Sequence, residues 1–548
     1  MDKKYLEELS FEWSGNAKDQ FTNSQSDMDI LDKLQPAKNL KKVSICGYRG
    51  TRFPEWVGDP SYHNLTELYL SDCHNCCILP PLGQLRSLKK LRISRMSMLE
   101  TIASEYGDSF SGIIFPSLER GDSFSGIIFP SLERLQFDKM PCWEVWHHPH
   151  DSNAYFPVLK SLVIHRCPVL RGDLPSHLPA LETIQISQCD QLASCLPSAH
   201  AIRKLAIRES NKVMLQELPL SLEDIEIQGR EATESFFEVI AITLPISLKI
   251  VRIEIKNCSS AISFPGDCLP ASLNSLSITD CRNLDFPKQK QQHESLQRLH
   301  IESSCDSLTT LPLETFPRLR SLNIWHCENL ECISASKILQ NLNEILITNC
   351  PKLVSFARDG LSAPNLRSLL VFDCVNLKSL TCHANTLLRN LEIVSIWNCP
   401  EMETFCEGGV PPSLRSLDIE KCEKLMRSPS LSLMDTLTHL KIGRCDGVES
   451  FPNKDCALLP PSLTSLTLCH MSSLHTLDCT ELLHLTSLQH LAILFCYKLE
   501  NMAGERLPAT LTILQIIGCP LLEERCRMKH PQIWPKISHI QSIVFHCT

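Results

Sequence analysis

An α/β repeat solenoid, with one short parallel strand to each turn of the coil, is the fold class this 548-residue chain predicts. Three regularities predict it. The first is a framework, L-x-x-L-x-I-x-x-C-x-x-L, recurring about every 23 residues. Leu319, Leu322, Ile324, Cys327 and Leu330 make one copy, and Leu342, Ile345, Ile347, Cys350 and Leu353 make the next. Copies follow at Leu366 (Leu369, Val371, Cys374, Leu377) and at Leu391 (Val394, Ile396, Cys399, Met402). The second is alternation inside each copy. Leu417-Asp418-Ile419 sets two aliphatic side chains on one face and a carboxylate on the other, as a strand of period two requires. The third is proline. Pro157, Pro179, Pro270, Pro317, Pro364, Pro412 and Pro461 each stand shortly before a unit, where a fixed φ and a missing donor suit an extended lead into a short strand.

Taken in order, the units begin at Leu6, Leu40, Leu65, Leu88, Leu132, Leu159, Leu181, Ile202, Leu222, Ile250, Leu273, Leu296, Leu319, Leu342, Leu366, Leu391, Leu414, Leu437, Leu463, Leu488 and Leu511. A period of roughly 20–29 residues is that of leucine-rich repeats. The expected form is a horseshoe with a parallel β-sheet on the concave face and irregular loops or short helices on the convex side. No unit can fold alone, because its neighbour covers half its apolar surface; each buried Leu or Ile is worth roughly 1.5–3 kcal/mol. The chain must turn directly after each strand, and a Cys such as Cys422 stands at that turn; Leu425 then points inward and Pro429 breaks the returning segment. Residues 1–35 read as an N-terminal unit and loop, 36–102 as further units, 103–128 as an irregular insertion, 129–518 as regular Cys-type units and 519–548 as a capping segment. Between Ile202 and Ile250 the unit lengths are irregular and Arg230 replaces Cys.

The insertion holds an oddity. Residues 107–120 read GDSFSGIIFPSLER, and 121–134 repeat them. Only the second copy runs on into Leu135 and Phe137, so the first is expected to loop out, with poor order over about residues 103–125.

A net charge of −9 offers no basic footprint for nucleic acid. No run of about 18 apolar residues predicts a membrane span, and Met1 to Tyr5 carry no apolar core of a secretory leader. About half of the 28 cysteines fall on one repeat column: Cys73, Cys167, Cys189, Cys258, Cys281, Cys305, Cys327, Cys350, Cys374, Cys399, Cys422, Cys445, Cys496 and Cys519. Buried free Cys acts as a small hydrophobe with a weak S–H donor. The column therefore reads as a reduced ladder, and the expected location is cytoplasmic.

Enzyme chemistry is not expected. Cys73-x-x-Cys76 lacks the second pair that a structural zinc site needs. His147, His148 and His150, beside Trp143 and Trp146, read as a solvated loop. Gly107 to Gly112 fail the spacing of a nucleophile elbow, and His293-Glu294 lacks the second His of a zinc protease. Asn64 and Asn257 head glycosylation sequons that matter only in a secreted chain.

The useful surface is the row of strand positions facing away from the core. Trp325, Thr348, Phe372 and Trp397 follow the buried aliphatic on successive units. With parallel strands about 4.8 Å apart, they form one stripe on the concave face, and exposed aromatics in a row are typical of protein interfaces. Glu420, Lys421, Lys441 and Arg444 continue it with charge, and His326 adjoins Trp325. These positions are the candidate protein-binding residues.

Some stretches are more particular. Asn39 to Ile45, Gly47-Tyr48, Phe53-Pro54-Glu55-Trp56, Asp72-Cys73-His74-Asn75-Cys76 and Leu79-Pro80-Pro81-Leu82-Gly83-Gln84-Leu85 lie within about sixty residues. Together with Phe129 to Glu133, Met140 to Trp146, Leu522 to Cys526 and Trp534 to Ile540, they closely resemble the leucine-rich-repeat region of plant coiled-coil nucleotide-binding disease-resistance receptors. The resemblance implies a recognition and autoinhibitory domain of an intracellular immune receptor. Its implied partners are proteins: a pathogen effector or a guarded host protein, and the parent receptor's own nucleotide-binding domain. A phosphate-binding loop would need a Gly-Lys dipeptide, which does not occur here. ADP or ATP is thus expected only in the full receptor, and no cofactor or metal in this chain, which reads as a fragment, a truncated product or a partial gene model. One alternative is a ubiquitin-ligase substrate receptor, for which the short Met1 to Leu6 start leaves no docking box. Others are an extracellular receptor or enzyme inhibitor, lacking here the recurrent L-x-G-x-I-P segment, and a non-functional truncation.

Overall fold

A computed structural model describes residues 6–13, 24–102, 129–146, 156–197, 199–243, 249–288, 291–356, 360–382, 384–407, 409–426, 434–452 and 459–545. The chain divides into two compact units, Met1–Gly266 and Asp267–Thr548. In the first, ten parallel strands are described: Glu8–Glu12, Lys42–Cys46, Glu67–Ser71, Lys90–Ser94, Arg134–Asp138, Ser161–His165, Thr183–Ser187, Lys204–Arg208, Asp224–Gln228 and Arg252–Lys256. In the second, twelve are described: Ser275–Thr279, Arg298–Glu302, Ser321–Trp325, Glu344–Thr348, Ser368–Phe372, Ile393–Trp397, Ser416–Glu420, His439–Gly443, Ser465–Cys469, His490–Leu494, Ile513–Ile517 and Ser542–Phe545. Each pairs with the next of its unit without a register slip, as in Leu322↔Ile345 and Ile345↔Leu369. Both units are leucine-rich-repeat solenoids.

The alternation explains both the strands and their register. In Ser321–Trp325 the second and fourth residues, Leu322 and Ile324, are buried, and the others are half-buried on the opposite side. A slip by one residue would turn every aliphatic out of the core, so burial fixes the pairing. Every expected unit start lies two residues before a strand of the ladder. The strand Ser542–Phe545 continues the sheet beyond the last expected start, Leu511.

The turn that ends each strand has a feature the pattern did not disclose. The residue after the strand is left-handed at Asp72, Arg95, Lys139, Arg166, Gln188, Glu209, Asn257, Asp280, Ser303, His326, Asn349, Asp373, Asn398, Lys421, Arg444, His470 and Phe495, with φ between 46° and 57°. Gly47, Gly229 and Gly518 fill the same column. At Gly47 a Cβ would also lie 2.6 Å from the Trp13 carbonyl oxygen.

The cysteine column follows one residue later, buried and made of free thiols. Cys422 Sγ accepts the Cys399 N–H of the preceding repeat (3.4 Å) and donates to Glu420 O (3.1 Å). Cys519 does the same for Cys496. The thiol therefore does the work that a polar side chain would do at this turn. Cys305 does not belong to the column. Ser304 stands there instead, accepting from Cys281 N (2.9 Å) and donating to Glu302 O (2.5 Å), and Ser210 plays that part for Cys189.

The return side is more ordered than its sequence suggests. In the second unit Thr310–Pro312, Cys332–Ser334, Ser355–Phe356, Ser379–Cys382 and Thr404–Glu407 form a second parallel ladder, and Ser450–Phe451, Thr476–Asp478 and Asn501–Ala503 form another. In the first unit the irregular stretch contains a helix, Arg230–Thr243, that buries Ala232, Phe236, Phe237 and Ile240. It lengthens its repeat without disturbing the strand register. The first copy of the duplicated segment, Pro429 and the histidines at 147, 148 and 150 lie outside the described residues.

Candidate protein-binding face

The strand register assembles the predicted stripe. Trp325, Thr348, Phe372, Trp397 and Glu420 are direct cross-strand neighbours on five consecutive strands. All are fifth strand positions, on the side opposite the buried aliphatics. Trp397 is 40% exposed, whereas Ile396 beside it is 0% exposed. Phe372 meets Trp397 edge-on at 6.3 Å, and Trp325 meets His300 edge-on at 6.2 Å. Leu346 and Leu370, half-buried cross-strand partners at third positions of adjacent strands, add apolar surface to the same face. The sequence hides them, because Ile345-Leu346-Ile347 reads as an unbroken apolar run rather than an alternation.

The charged residues form one knot beside Trp397. Lys441 Nζ bridges Glu420 Oε1 (2.5 Å) and Asp418 Oδ2 (3.2 Å), and Arg444 Nε reaches Glu420 Oε2 (3.0 Å). The Arg444 guanidinium also lies 5.8 Å from the Trp397 ring centre. Burial pushes the Glu420 carboxyl up, but Lys441 and then Arg444 outweigh it and hold it below the usual carboxylate range. Asp418 goes the other way: burial raises it against the pull of Lys441. His326, Lys421 and Arg444 are not strand residues. They occupy the left-handed turn column at the edge of the face, where Asn349 lies against His326 Nδ1. Of the three, Arg444 folds back onto the strand stripe.

Three outward polar atoms, Asn323 Oδ1, Trp325 Nε1 and Asp418 Oδ1, are buried with no hydrogen-bond partner among the described residues. An unpaired buried polar group costs about 1–3 kcal/mol. A protein surface laid on this face can supply a donor to Asn323 and to Asp418 and an acceptor to Trp325.

The other motifs resolve into structural roles. Cys73 and Cys76 are buried, and their thiols donate to Ser71 O and Ile78 O (3.2 Å each). His293 is 5% exposed, with Nε2 against Pro270 O (2.8 Å) and Nδ1 accepting the Leu296 N–H (3.1 Å). Trp143 and Trp146 are buried against Phe137 at 4.6 and 5.4 Å. No described helix is long and apolar enough to cross a membrane.

A solenoid whose repeats carry an outward aromatic row belongs to the class of repeat proteins that present an extended face. Within that class, residues 1–96 match the R13L1/DRL21 leucine-rich repeats, and residues 52–190 match the leucine-rich repeats of plant disease resistance proteins of the RPS2-like type. The Arabidopsis thaliana disease resistance protein At3g14460 is 27% identical over 95% of this chain and 48% of its own length. RPP13-like protein 1 of the same plant is 30% identical over 53% of this chain and 28% of its own length. Disease resistance protein RGA2 of Solanum bulbocastanum is 28% identical over 40% of this chain and 21% of its own. The chain is thus similar to the leucine-rich-repeat regions of plant disease resistance proteins. It spans about half, or less, of the length of these relatives. A solved structure, CroV588, described as a novel circular leucine-rich-repeat protein, aligns over 93% of this chain and 89% of its own at 15% identity. Its TM-score of 0.29 is too low to bear on the fold, which the strand pairing itself defines.

Proposed function

We propose that this chain is the recognition and autoinhibitory domain of an intracellular plant immune receptor. It works as a non-enzymatic binding module, and nucleotide exchange belongs to a domain outside these residues. The observation that carries the reading is the outward row of Trp325, Phe372 and Trp397, backed by Leu346 and Leu370 and bordered by the Glu420 knot. Apolar rings beside a charged border are what a protein interface presents.

The regulatory logic is linkage. A repeat domain docked on the receptor's nucleotide-binding domain stabilises the off state, and a ligand releases it only by binding the undocked form more tightly. The test is Trp397→Ala and Phe372→Ala in the full receptor. The expected outcome is changed recognition of the matching effector or effector-independent cell death, with normal protein accumulation. Unaltered recognition and an unaltered resting state in both variants would remove this face from the account.

A further inference from the structure

The turn column of the first unit carries a row of cations that the turn itself does not explain. Arg95, Lys139 and Arg166 end three neighbouring strands, with φ of 54°, 56° and 55°. Their repeats are about 4.8 Å apart. Left-handed backbone favours Gly, Asn and Asp, and the second unit fills much of this column with Asp280, Asn349, Asp373 and Asn398. The left-handed conformation itself gives long cations no advantage, and like charges at this spacing repel.

Compensation is incomplete. Arg95 is held by Asp72 through two bonds of 2.5 Å. Arg166 gives its Nε to the neutral Gln188 Oε1 (2.8 Å), which leaves the outer edge of its guanidinium unengaged among the described residues. Lys139 has no acidic partner among the described residues; Asp138 next to it faces Arg92 and His165 instead. The row forms one wall of a groove of about 490 Å³, with His74 and Ser97 bonded to each other (3.0 Å) at its basic end. The far end is acidic, lined by Asp190 and by Glu209, whose carboxylate takes bonds from Gln188 (2.8 Å) and Gln228 (3.0 Å).

We propose that the basic end of this groove binds a compact phosphate-bearing small molecule, its phosphate seated between Lys139 Nζ and the outer edge of Arg166. A tetrahedral dianion accepts several charge-assisted bonds at once and relieves the repulsion along the row. The polarity of the groove sets the ligand's size. An extended acidic peptide would run into Asp190 and Glu209, whereas a compact polyanion stays clear of them. The site lies in the first unit and does not depend on the aromatic face.

Isothermal titration of the whole chain with tripolyphosphate tests this. Saturable binding is expected, about tenfold weaker in each of Lys139→Gln and Arg166→Gln, the equivalent of one lost charge-assisted bond. Lys421→Gln should bind as the wild type does. Unliganded Lys139→Gln should melt at the wild-type temperature or above it, because a repulsion has been removed, so weaker binding cannot be put down to misfolding. Absence of saturable binding, binding as tight as the wild type's in both groove variants, or equally tight binding of a hexapeptide of glutamate would each overturn the proposal.

Discussion

Residue by residue, the molecule solves the same problem at every turn: where the polar groups of a sharp, buried bend go. At Cys422, Cys519, Ser304 and Ser210, in the column after the strand, a thiol or hydroxyl answers it, accepting an N–H from the repeat before and donating to a carbonyl of its own repeat. A buried thiol outside that column, Cys76, which donates to Ile78 O, carries a pH signature. Burial pushes the Cys76 thiol up to about 12 from an ordinary value of 9.0. Its folded pKa is raised, so its contribution is complete below pH 9.0 and lost as pH climbs to about 12, where the folded thiol also ionises. Between those limits the unfolded chain binds fewer protons, and stability falls by roughly 1 kcal/mol per pH unit for each such thiol. The stability difference between the wild type and Cys76→Ala should therefore shrink when urea titrations move from about pH 9 to about pH 11. A constant difference would mean that this thiol is not buried as described. The column was legible from spacing alone, with one displacement. A cysteine is conspicuous and a serine is not, so Cys305 stood out in a place that Ser304 fills.

At the scale of elements, the strands were fully readable and the turns were not. Alternating aliphatics state which residues face in, and each unit start preceded its strand by the same interval. The left-handed residue after the strand leaves no such mark, because Asp, Arg, Lys, Gln, Ser, His and Phe all occupy it. What fixes the conformation is the sheet on one side and the buried column on the other, not the residue's own preference. Asn349 offers a direct check, at φ 52°. Asn349→Val and Asn349→Gly both lose the contact with His326, so their difference isolates the backbone. The valine variant should be less stable by about 1–2 kcal/mol in chemical denaturation; equal stabilities would contradict the turn geometry. The helix Arg230–Thr243 was hidden for another reason. A single helix replaces a loop in one repeat, and a search for repeats registers only a length change. The short return-side strands, two to four residues each, fall below what alternation can reveal.

For the whole molecule, stability is a sum of repeats and of their contacts with neighbours, so damage should spread along a unit and fade with distance. A face built this way is available for binding because the core does not need it: Trp325, Phe372 and Trp397 contribute to a surface, while Leu322, Val371 and Ile396 hold the coil. The stripe was visible in sequence because its members are aromatic. Leu346 and Leu370, and the unpartnered Oδ1 atoms of Asn323 and Asp418, became visible only in the folded arrangement. The measurement that goes most directly to this division is amide hydrogen exchange on Ile396→Asp and Trp397→Ala, two neighbours on one strand. Ile396→Asp should abolish protection in Ile393–Trp397 and in the flanking strands Ser368–Phe372 and Ser416–Glu420, while Glu67–Ser71 keeps its own. Trp397→Ala should leave all four strands protected to within about 0.5 kcal/mol of the wild type. Equal loss of protection in the two variants, or a greater loss in Trp397→Ala, would contradict the assignment of one face to the core and the other to a partner.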